Sequence, residues 1–201
     1  MFDMFNRVIS QRGYTKYLEI GVSNGGTFYN IECQVKHGVD PNNKDMLYPI
    51  TSDEFFENCN QTYDLIFIDG DHECNQVLRD IDNSIKHLSP NGIIFVHDTK
   101  PHTELMQRSP MPPSEELCER GLWTGDVWKA IAKFRNTRKD FTVKTFNIEL
   151  GLTILENGEG TLIEIPEELT YDWYLTNEDY VLNLIPYTTL TKTTKTTDQK
   201  I

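Results

Sequence analysis

The sequence lacks the features of a secreted or membrane-spanning protein. No apolar run approaches the length that crosses a bilayer, and the start, Met-Phe-Asp-Met-Phe-Asn-Arg, has no basic region followed by an apolar one. The four cysteines are scattered and form no Cys-x-x-Cys pair (Cys33, Cys59, Cys74 and Cys118). We therefore expect no signal peptide, no membrane span and a reduced protein in the cytoplasm.

Positive charge is also scarce. The chain has 19 lysine and arginine residues against 31 aspartate and glutamate residues, which gives a formal net charge of -12. Binding to nucleic acid or to an anionic membrane surface requires a broad basic patch, so both kinds of partner are disfavoured. A small or uncharged molecule is the expected partner.

The chain does contain enough apolar material for a core, since 38% of its 201 residues are hydrophobic and 11% are aromatic. Apolar runs typical of strands alternate with stripes typical of helices up to residue 138, and a strand hairpin follows. This order predicts an α/β fold with a doubly wound, mostly parallel, seven-stranded sheet that has one antiparallel strand. The predicted strands are 17–22, 36–40, 45–50, 63–69, 93–96, 141–148 and 152–155, and the predicted helices are 2–12, 27–34, one from 51, 77–88, 126–138 and 166–185.

The chain divides into three predicted parts. Residues 1–157 form the ligand-binding domain, and residues 158–187 form a helical appendage that packs on this domain or on a second subunit, which would make a homodimer. Residues 188–201 form a polar, disordered tail. Within the domain, the proline-rich stretch 100–125 is predicted to be a lid. Trp123 and Trp128 could wall a substrate site, although Trp128 also suits the core.

The first predicted strand runs directly into a glycine turn, from Tyr17 to Gly26. Glycine permits positive φ and a close approach of a ligand to the main chain, and the segment from Thr27 offers free N–H groups, so a nucleotide-like ligand is expected. Ser23 stands where the dinucleotide fingerprint has a glycine, which argues against a nicotinamide or flavin. Asp40 follows the second strand about twenty residues beyond Gly21, where α/β nucleotide sites place the carboxylate that binds the ribose.

Further polar side chains stand where two later strands stop. Asp69, Asp71 and His72 follow the fourth predicted strand, and His97 and Asp98 follow the fifth. The carboxyl ends of parallel strands meet at one edge of the sheet, so these groups are expected in one crevice with the glycine turn. Carboxylates close together suit Mg²⁺, and imidazole is well placed to take a proton near neutral pH.

Plainer interpretations stay open for these residues. The stretch from Glu19 to Gly26 could be an ordinary turn between a strand and a helix. Asp71 and His72 could merely cap the following helix, and His97 could be a satisfied histidine at the end of a strand.

The segments resemble, in order, those of class I S-adenosylmethionine-dependent methyltransferases. The matching stretches are Leu-Glu-Ile-Gly-x-x-x-Gly, Gly-Val-Asp-Pro, Ile-Asp-Gly-Asp-His and Ile-Phe-Val-His-Asp, within residues 1–157. The branch that looks most similar includes macrocin-type sugar O-methyltransferases and cephalosporin-hydroxylase-like proteins. The resemblance implies S-adenosylmethionine as cofactor and O-methylation of a small hydroxylated acceptor, such as a sugar or glycan precursor.

The resemblance also implies how the cofactor would be held. Gly21, Asn24 and Gly25 would bind its methionine portion, and Glu19 would support their loop. Asp40 would bind the ribose.

A second set of implied residues concerns catalysis. Asp69, which would also border the cofactor, and Asp98, together with His97, match positions at which metal-dependent relatives such as catechol O-methyltransferase bind Mg²⁺. The chain departs from macrocin-type enzymes at His97, where those enzymes carry aspartate. His72 stands at the offset from Asp69 at which the catechol enzyme has its catalytic lysine. Asp69, His72 and His97 are therefore the expected catalytic residues, with His72 as the base.

Two other functions compete with methyl transfer. One is a metal-dependent, hydroxylase-like enzyme on the same fold. Bound iron rather than magnesium would favour this function. The other is a cofactor-binding interaction protein without turnover, in which Asp69 could be replaced without loss of biological activity.

Overall fold

The computed structural model describes residues 1–113 and 122–186, which contain five α-helices and seven β-strands. The helices are α1 (Phe2–Arg12), α2 (Ser52–Asn58), α3 (Cys74–Lys86), α4 (Val127–Thr137) and α5 (Tyr171–Leu182). The strands are β1 (Lys16–Ile20), β2 (Val35–Val39), β3 (Tyr63–Ile68), β4 (Leu88–His97), β5 (Phe141–Phe146), β6 (Leu152–Asn157) and β7 (Leu184–Ile185).

The described strands form one sheet in the order β2-β1-β3-β4-β6-β5-β7. β6 runs antiparallel to both of its neighbours, and the other pairs are parallel. The predicted fold class, a mostly parallel seven-stranded sheet with one antiparallel strand, is confirmed.

Helices cover both faces of the sheet. On one face, Phe5 of α1 packs against Phe67 of β3 and Phe95 of β4. On the other face, α2 to α5 share a second apolar cluster with Ile66 and Ile94 of the same strands. Strands that are apolar on both faces belong in the centre of a parallel sheet, and β3 and β4 lie there, with β1 beside β3 and β6 beside β4.

The helix predicted at 27–34 is wrong. Only a 3-10 turn forms, at Phe28–Asn30. Thr, Phe, Tyr, Asn and Ile are weak helix formers, and they follow a glycine turn. Lys36 of β2 holds the segment instead, because its Nζ donates to the carbonyls of Phe28 at 2.9 Å and Ile31 at 3.0 Å.

The strand predicted at 45–50 is also wrong, since Tyr48 makes only an isolated bridge to Val39. The seventh strand is instead β7, which pairs with β5 at the opposite edge. The helix predicted over 166–185 is accordingly shorter. It ends at Asn183 in the left-handed conformation, with φ 49°, and the Asn183 amide donates to the carbonyl of Val143 at 2.7 Å.

β4 begins at Leu88, five residues before the predicted strand, and α3 ends at Lys86, so the predicted end of that helix is wrong. The remaining elements follow the predictions to within about three residues. α1 ends at Gly13 in the left-handed conformation, and Thr51 and Glu54 form a capping box at the start of α2. The predicted tail at 188–201 lies outside the described residues. Within the described part of the chain, no helix combines the length and apolarity that crossing a membrane requires.

Candidate active site

Four polar side chains meet where β3 and β4 end. The Nδ1 of His97, the last residue of β4, donates to Asp69 Oδ1 at 3.2 Å. Asp98 lies between two histidines, because its Oδ1 is 3.3 Å from His97 Nδ1 and its Oδ2 is 3.3 Å from His72 Nε2. The structure thus brings together four of the five residues that the sequence singled out at these strand ends, and the fifth, Asp71, lines a neighbouring cleft.

His72 is fixed from its other side. Its Nδ1 donates to the carbonyl of Trp123 at 3.1 Å, and the two rings stack with centroids 4.8 Å apart. A neutral imidazole that donates through Nδ1 carries its lone pair on Nε2. That nitrogen faces Asp98 and also Asp69, whose Oδ1 is 3.8 Å away.

The interpretation of Asp71 and His72 as helix caps is wrong. Glu73 is the N-cap of α3, and its carboxylate accepts from a main-chain N–H in the first turn at 3.0 Å. Asp126, the N-cap residue of α4, makes no side-chain cap there. Its Oδ1 accepts from the first N–H of α3 at 2.7 Å instead, so α3 is capped without His72.

The outer nitrogen of His97 faces a second cavity. Nε2 is buried and has no hydrogen-bond partner among the described residues, and Glu149 Oε2 lies 3.5 Å from it. The cavity has a volume of about 500 Å³ and is lined by His97, His102, Met106, Leu122, Glu149 and Leu150. His97 therefore separates the aspartates from a mostly apolar space.

The aspartates favour the charged form of both imidazoles. Burial opposes a charge on His97, but its contacts with Asp69, Asp98 and Glu149 outweigh burial and raise its pKa to about 12. For His72, burial is again opposed by Asp69 and Asp98, and its pKa is raised. The two histidines in turn lower the pKa of Asp69 in spite of its burial. Positive charge between the carboxylates holds this cluster together.

Asp98 occupies a strained position. Its φ is 57°, in the left-handed region that is costly for a residue with a Cβ. The residue is 5% exposed, and its Oδ1 has no hydrogen-bond partner among the described residues. Its partner is a charge rather than a hydrogen bond, because the His97 imidazole lies 3.3 Å from this oxygen.

The donor atoms fit a divalent cation. One ligand atom each from Asp69, His72 and Asp98 lies within 4.8 Å of the others. The sequence indicated His97 rather than His72 as the third ligand. In the structure, His97 contacts both carboxylates through Nδ1 and supports them from outside this group.

A larger cleft of about 550 Å³ adjoins the cluster at the ends of β1 and β2, a volume typical of ligand sites. Gly21, Ser23, Asp40 and Asp69 are among its lining residues. Gly21 has φ 84°, and a Cβ there would lie 2.2 Å from the carbonyl oxygen of Asp69. Only glycine allows the ends of β1 and β3 to approach this closely.

Asp40 is built into the wall of this cleft and is 7% exposed. Its carboxylate accepts from the main-chain N–H groups of Ser23 at 2.7 Å, Asn42 at 2.8 Å and Asn43 at 3.1 Å. A carboxylate has about four acceptor positions, so one remains for a ligand.

Three residues of the expected cofactor site do not line the cleft. Glu19 is 2% exposed and accepts from the hydroxyl of Tyr17, and burial raises its pKa to about 8. Asn24 Oδ1 accepts from the N–H of Gly26 at 3.0 Å. Gly25 has φ 80°, with the ring of Tyr29 where a Cβ would be. These groups shape the loop behind the cleft.

Sequence reasoning missed one wall of the cleft, formed by Ser52, Asp53, Gln76 and Asp80. Asp80 is 1% exposed, and burial raises its pKa to about 6. The Nε2 of Gln76 donates to Asp80 Oδ1 at 3.1 Å and to Ser52 Oγ at 3.2 Å. The available signal was an aspartate on the apolar stripe of α3, which is an unusual place for a charge.

The predicted lid, 100–125, is described in part, because residues 114–121 lie outside the described residues. Trp123 lines the cleft, and its indole N–H donates to the carbonyl of Arg108 at 2.7 Å. Trp128 is fully buried in the core, so its prediction as a wall of the substrate site is wrong. His102, for which no role was predicted, lines the second cavity.

A family model described as a methyltransferase domain matches residues 46–99. This stretch carries Asp69, His72, His97 and Asp98. No curated protein matches the chain in sequence.

Solved structures that resemble this one are methyltransferases. O-methyltransferase TomG from Streptomyces achromogenes, in complex with SAM, gives a TM-score of 0.53 at 12% identity over 78% of this chain and 79% of that chain. SAH-bound methyltransferase PaMTH1 from Podospora anserina gives a TM-score of 0.53 at 15% identity over 79% of this chain and 78% of that chain. MycE, from the mycinamycin biosynthetic pathway, in complex with Mg, SAH and mycinamycin VI, gives 0.51 at 14% identity over 83% of this chain and 51% of that chain. Likeness at these identities establishes the fold.

Proposed function

Because the chain resembles class I S-adenosylmethionine-dependent methyltransferases in its motifs and in its fold, we propose that it transfers a methyl group from S-adenosylmethionine (SAM) to a hydroxyl group of a small acceptor. One observation carries the proposal. The cleft at the ends of β1 and β2 meets the Asp69, His72, His97 and Asp98 cluster at Asp69, which belongs to both. A cofactor in the cleft would lie beside groups that can handle the proton of a hydroxyl.

Gly21, Asp40 and Asp69 are the proposed cofactor contacts of this cleft. Gly21 opens the main chain to the ligand, and the free acceptor position of Asp40 suits a ribose hydroxyl. Glu19, Asn24 and Gly25 complete the proposed cofactor site indirectly, because they hold the loop that Gly21 begins.

The residues of the cluster must orient the acceptor hydroxyl and take its proton. When bound, SAM supplies a methyl group on a sulfonium, which passes to oxygen by in-line displacement, so placement of the acceptor is the main requirement. His97 donates through Nδ1 to Asp69, so the lone pair of its neutral form lies on Nε2, which faces the second cavity. In spite of burial, the contacts with Asp69, Asp98 and Glu149 raise the pKa of His97 to about 12, so His97 is the proposed base only when a cation offsets the aspartates. Both nitrogens of His72, the base that the sequence suggested, face protein groups.

A cation is part of the proposal. The sequence suggested Mg²⁺ at Asp69, His97 and Asp98. We keep the two carboxylates as its proposed ligands, because Nδ1 of His97 is committed to them as a donor. When bound, a divalent cation lowers the pKa of a neighbouring acceptor hydroxyl and neutralises the carboxylates that keep the imidazoles charged.

The second cavity is the proposed place of the acceptor, a sugar or another small hydroxylated ring. Met106, Leu122 and Leu150 offer apolar contacts to the face of a ring, and Nε2 of His97 offers one polar contact. This composition fits a small neutral molecule.

The proposal extends to assembly and location. Leu175 and Tyr180 leave apolar surface exposed on α5, which supports a homodimer through residues 158–187, and sedimentation velocity measures this directly. We place the protein in the cytoplasm, a reducing compartment. The free thiols of Cys33, Cys59 and Cys74 support this location.

A transfer assay tests the function. Purified protein is incubated with SAM labelled in its methyl group and with a panel of hydroxylated sugars and phenols. We expect label in at least one acceptor, and transfer that falls by at least about 100-fold in His97→Ala, the size typical of a general base. SAM affinity should stay within about twofold, because His97 does not line the cofactor cleft.

His87→Ala is the matched control, since His87 packs on Phe56 away from the cluster and should leave transfer unchanged. Equal losses of transfer and of SAM affinity in His97→Ala would contradict the proposed base. Transfer that is fully retained in excess EDTA would remove the cation from the scheme.

A further inference from the structure

We propose that the cleft at the ends of β1 and β2 separates SAM from its product, S-adenosylhomocysteine (SAH), by charge, so that it holds the methyl donor and releases the product. The inference rests on the proposed function for its ligand, because it concerns the same cleft. It also gives a role to Asp71, which lines the cleft and neither caps α3 nor belongs to the cluster.

The charged residues that line the cleft are all acidic. They are five aspartates, Asp40, Asp53, Asp69, Asp71 and Asp80. No lysine or arginine is among the described lining residues. Arg79 offsets Asp53, at 3.4 Å, and His97 offsets Asp69, at 3.2 Å. The other three aspartates make no ion pair among the described residues, so the cleft has a negative potential.

SAM and SAH differ mainly in charge. SAM carries its methyl group on a sulfonium, which is positive at every pH, and transfer of that methyl to oxygen leaves a neutral thioether in SAH. The adenine, the ribose and the amino acid portion are the same in both molecules. Contacts with these shared parts cannot separate the two ligands, whereas a field that acts on the sulfur can.

Asp71 brings a charge to the end of the cleft where the sulfur would lie. It stands between Gly70 and His72, two residues from Asp69. The sulfonium must lie beside the cluster, because the acceptor hydroxyl attacks its methyl group in line. Asp71 is exposed and makes no hydrogen bond or ion pair in the described part of the chain, so its carboxylate is available to a positive ligand.

The size of the effect follows from the dimensions of the cleft. A volume of about 550 Å³ corresponds to a width of about 10 Å, close to the screening length at physiological salt. At such distances and an intermediate dielectric constant, one unpaired carboxylate changes the affinity for a cation by about two- to sixfold. Lys44 weakens the field at the rim, where it donates to the carbonyl of Pro41 at 2.7 Å. Three unpaired carboxylates should together favour SAM by at least about tenfold.

The consequence for the enzyme is weak inhibition by its product. With a preference of this size, SAM would occupy most sites even where SAH is equally concentrated. Transfer would then continue while SAH accumulates, without a partner enzyme that consumes it.

Three ligands separate the effect of charge from that of shape. They are SAM, SAH and sinefungin, an analogue with a protonated amine in place of the methylated sulfonium. Calorimetry measures each with the full chain in EDTA at about pH 7.5, above the pKa of about 6 to which burial raises Asp80. We expect similar affinities for SAM and sinefungin and at least about tenfold weaker binding of SAH. SAH that binds as tightly as SAM would overturn the inference.

Asp71→Asn removes one charge from the cleft and keeps the shape of the side chain. The preference for SAM over SAH should fall by at least about twofold, because the affinity for SAM falls more than the affinity for SAH. Asp82→Asn is the matched control, since Asp82 is exposed beside Arg138 and does not line the cleft. It makes the same change in net charge and should leave the preference unchanged. Equal losses for both ligands in Asp71→Asn, or an equal fall in the control, would overturn the inference.

The failure of this inference is distinct from the failure of the proposed function. A protein that binds SAM and SAH with equal affinity keeps its cofactor and loses the selection by charge. A protein that binds none of the three ligands at millimolar concentration loses the cofactor, and this inference with it.

Discussion

At the scale of single residues, the two histidines of the site differ in which groups their nitrogens face. Nδ1 of His72 donates to a main-chain carbonyl, so its Nε2 faces the carboxylates. Nδ1 of His97 donates to a carboxylate, so its Nε2 faces the second cavity. A sequence gives the positions of both residues but not these partners, so the roles predicted for them, His72 as the base and His97 as a metal ligand, rest on the resemblance alone.

Asp80 provides a test of burial in the cleft. Burial raises its pKa from 3.8 to about 6, so the folded state holds the proton more tightly than the unfolded state. The stability that this proton gives is present below about pH 4 and is lost as the pH rises towards 6. Asp80→Asn cannot ionise, so its stability should rise relative to the natural protein by about 2 kcal/mol between pH 4 and pH 7.

Urea unfolding of both proteins at the two pH values measures this difference. Asp82→Asn is the control on the same helix, because Asp82 is exposed and makes a long ion pair of 3.7 Å with Arg138. Exposed pairs of this kind contribute little, so the effect of Asp82→Asn should stay within about 0.5 kcal/mol at both pH values. If the difference in free energy of unfolding between Asp80→Asn and the natural protein is the same at pH 4 and pH 7, Asp80 is not buried as described.

At the scale of elements, the predictions succeeded where apolar pattern decides the structure and failed where single polar contacts decide it. The runs that became β3, the second half of β4 and α3 are apolar along the strand or along one helical face, and tertiary contacts agree with that pattern. The segment at 27–34 is held by the Lys36 side chain, which donates to main-chain carbonyls, and the segment at 45–50 is attached to the end of β2 by a main-chain hydrogen bond from Asp40 to Tyr48. Patterns carry no information about such contacts.

Lys36→Ala tests the first of these contacts. It leaves the carbonyls of Phe28 and Ile31 without their donor, so we expect a loss of about 1 to 3 kcal/mol in the free energy of unfolding, together with weaker SAM binding. Urea titration and calorimetry measure the two effects. Lys86→Ala, at the exposed end of α3, should change neither, and a Lys36→Ala protein of natural stability would show that Lys36 does not hold the segment.

Two glycines with positive φ form a matched pair for the close approach of β1 and β3. A Cβ on Gly13 would meet open space, whereas a Cβ on Gly21 would lie 2.2 Å from the carbonyl oxygen of Asp69. Gly13→Ala should therefore cost about 1 kcal/mol from backbone strain. Gly21→Ala should cost at least about 3 kcal/mol from strain and overlap together, measured by urea unfolding. Equal costs would mean that the two strand ends are not held at this distance.

At the scale of the whole molecule, the sheet and the position of its site were predictable from the sequence. The packing of the C-terminal segment on the sheet was not. Strand ends that carry Gly21, Asp40, Asp69 and Asp98 meet at one edge because parallel strands share a direction. The C-terminal segment is attached through buried Arg135, which donates to the carbonyl of Val181 at 2.9 Å, near the end of α5. This contact, and the short β7 that follows, have no sequence pattern of their own.

The most direct test of the account is a calorimetric titration of the metal-free protein with SAM, repeated with Asp40→Asn and with the control Asp45→Asn. Asp40 lines the cleft, whereas Asp45 is exposed and does not. We predict one SAM per chain for the natural protein and for Asp45→Asn, and an affinity lower by at least about tenfold for Asp40→Asn, which corresponds to the loss of one charged hydrogen bond. No binding to the natural protein at millimolar SAM, or equal binding by all three, would contradict it.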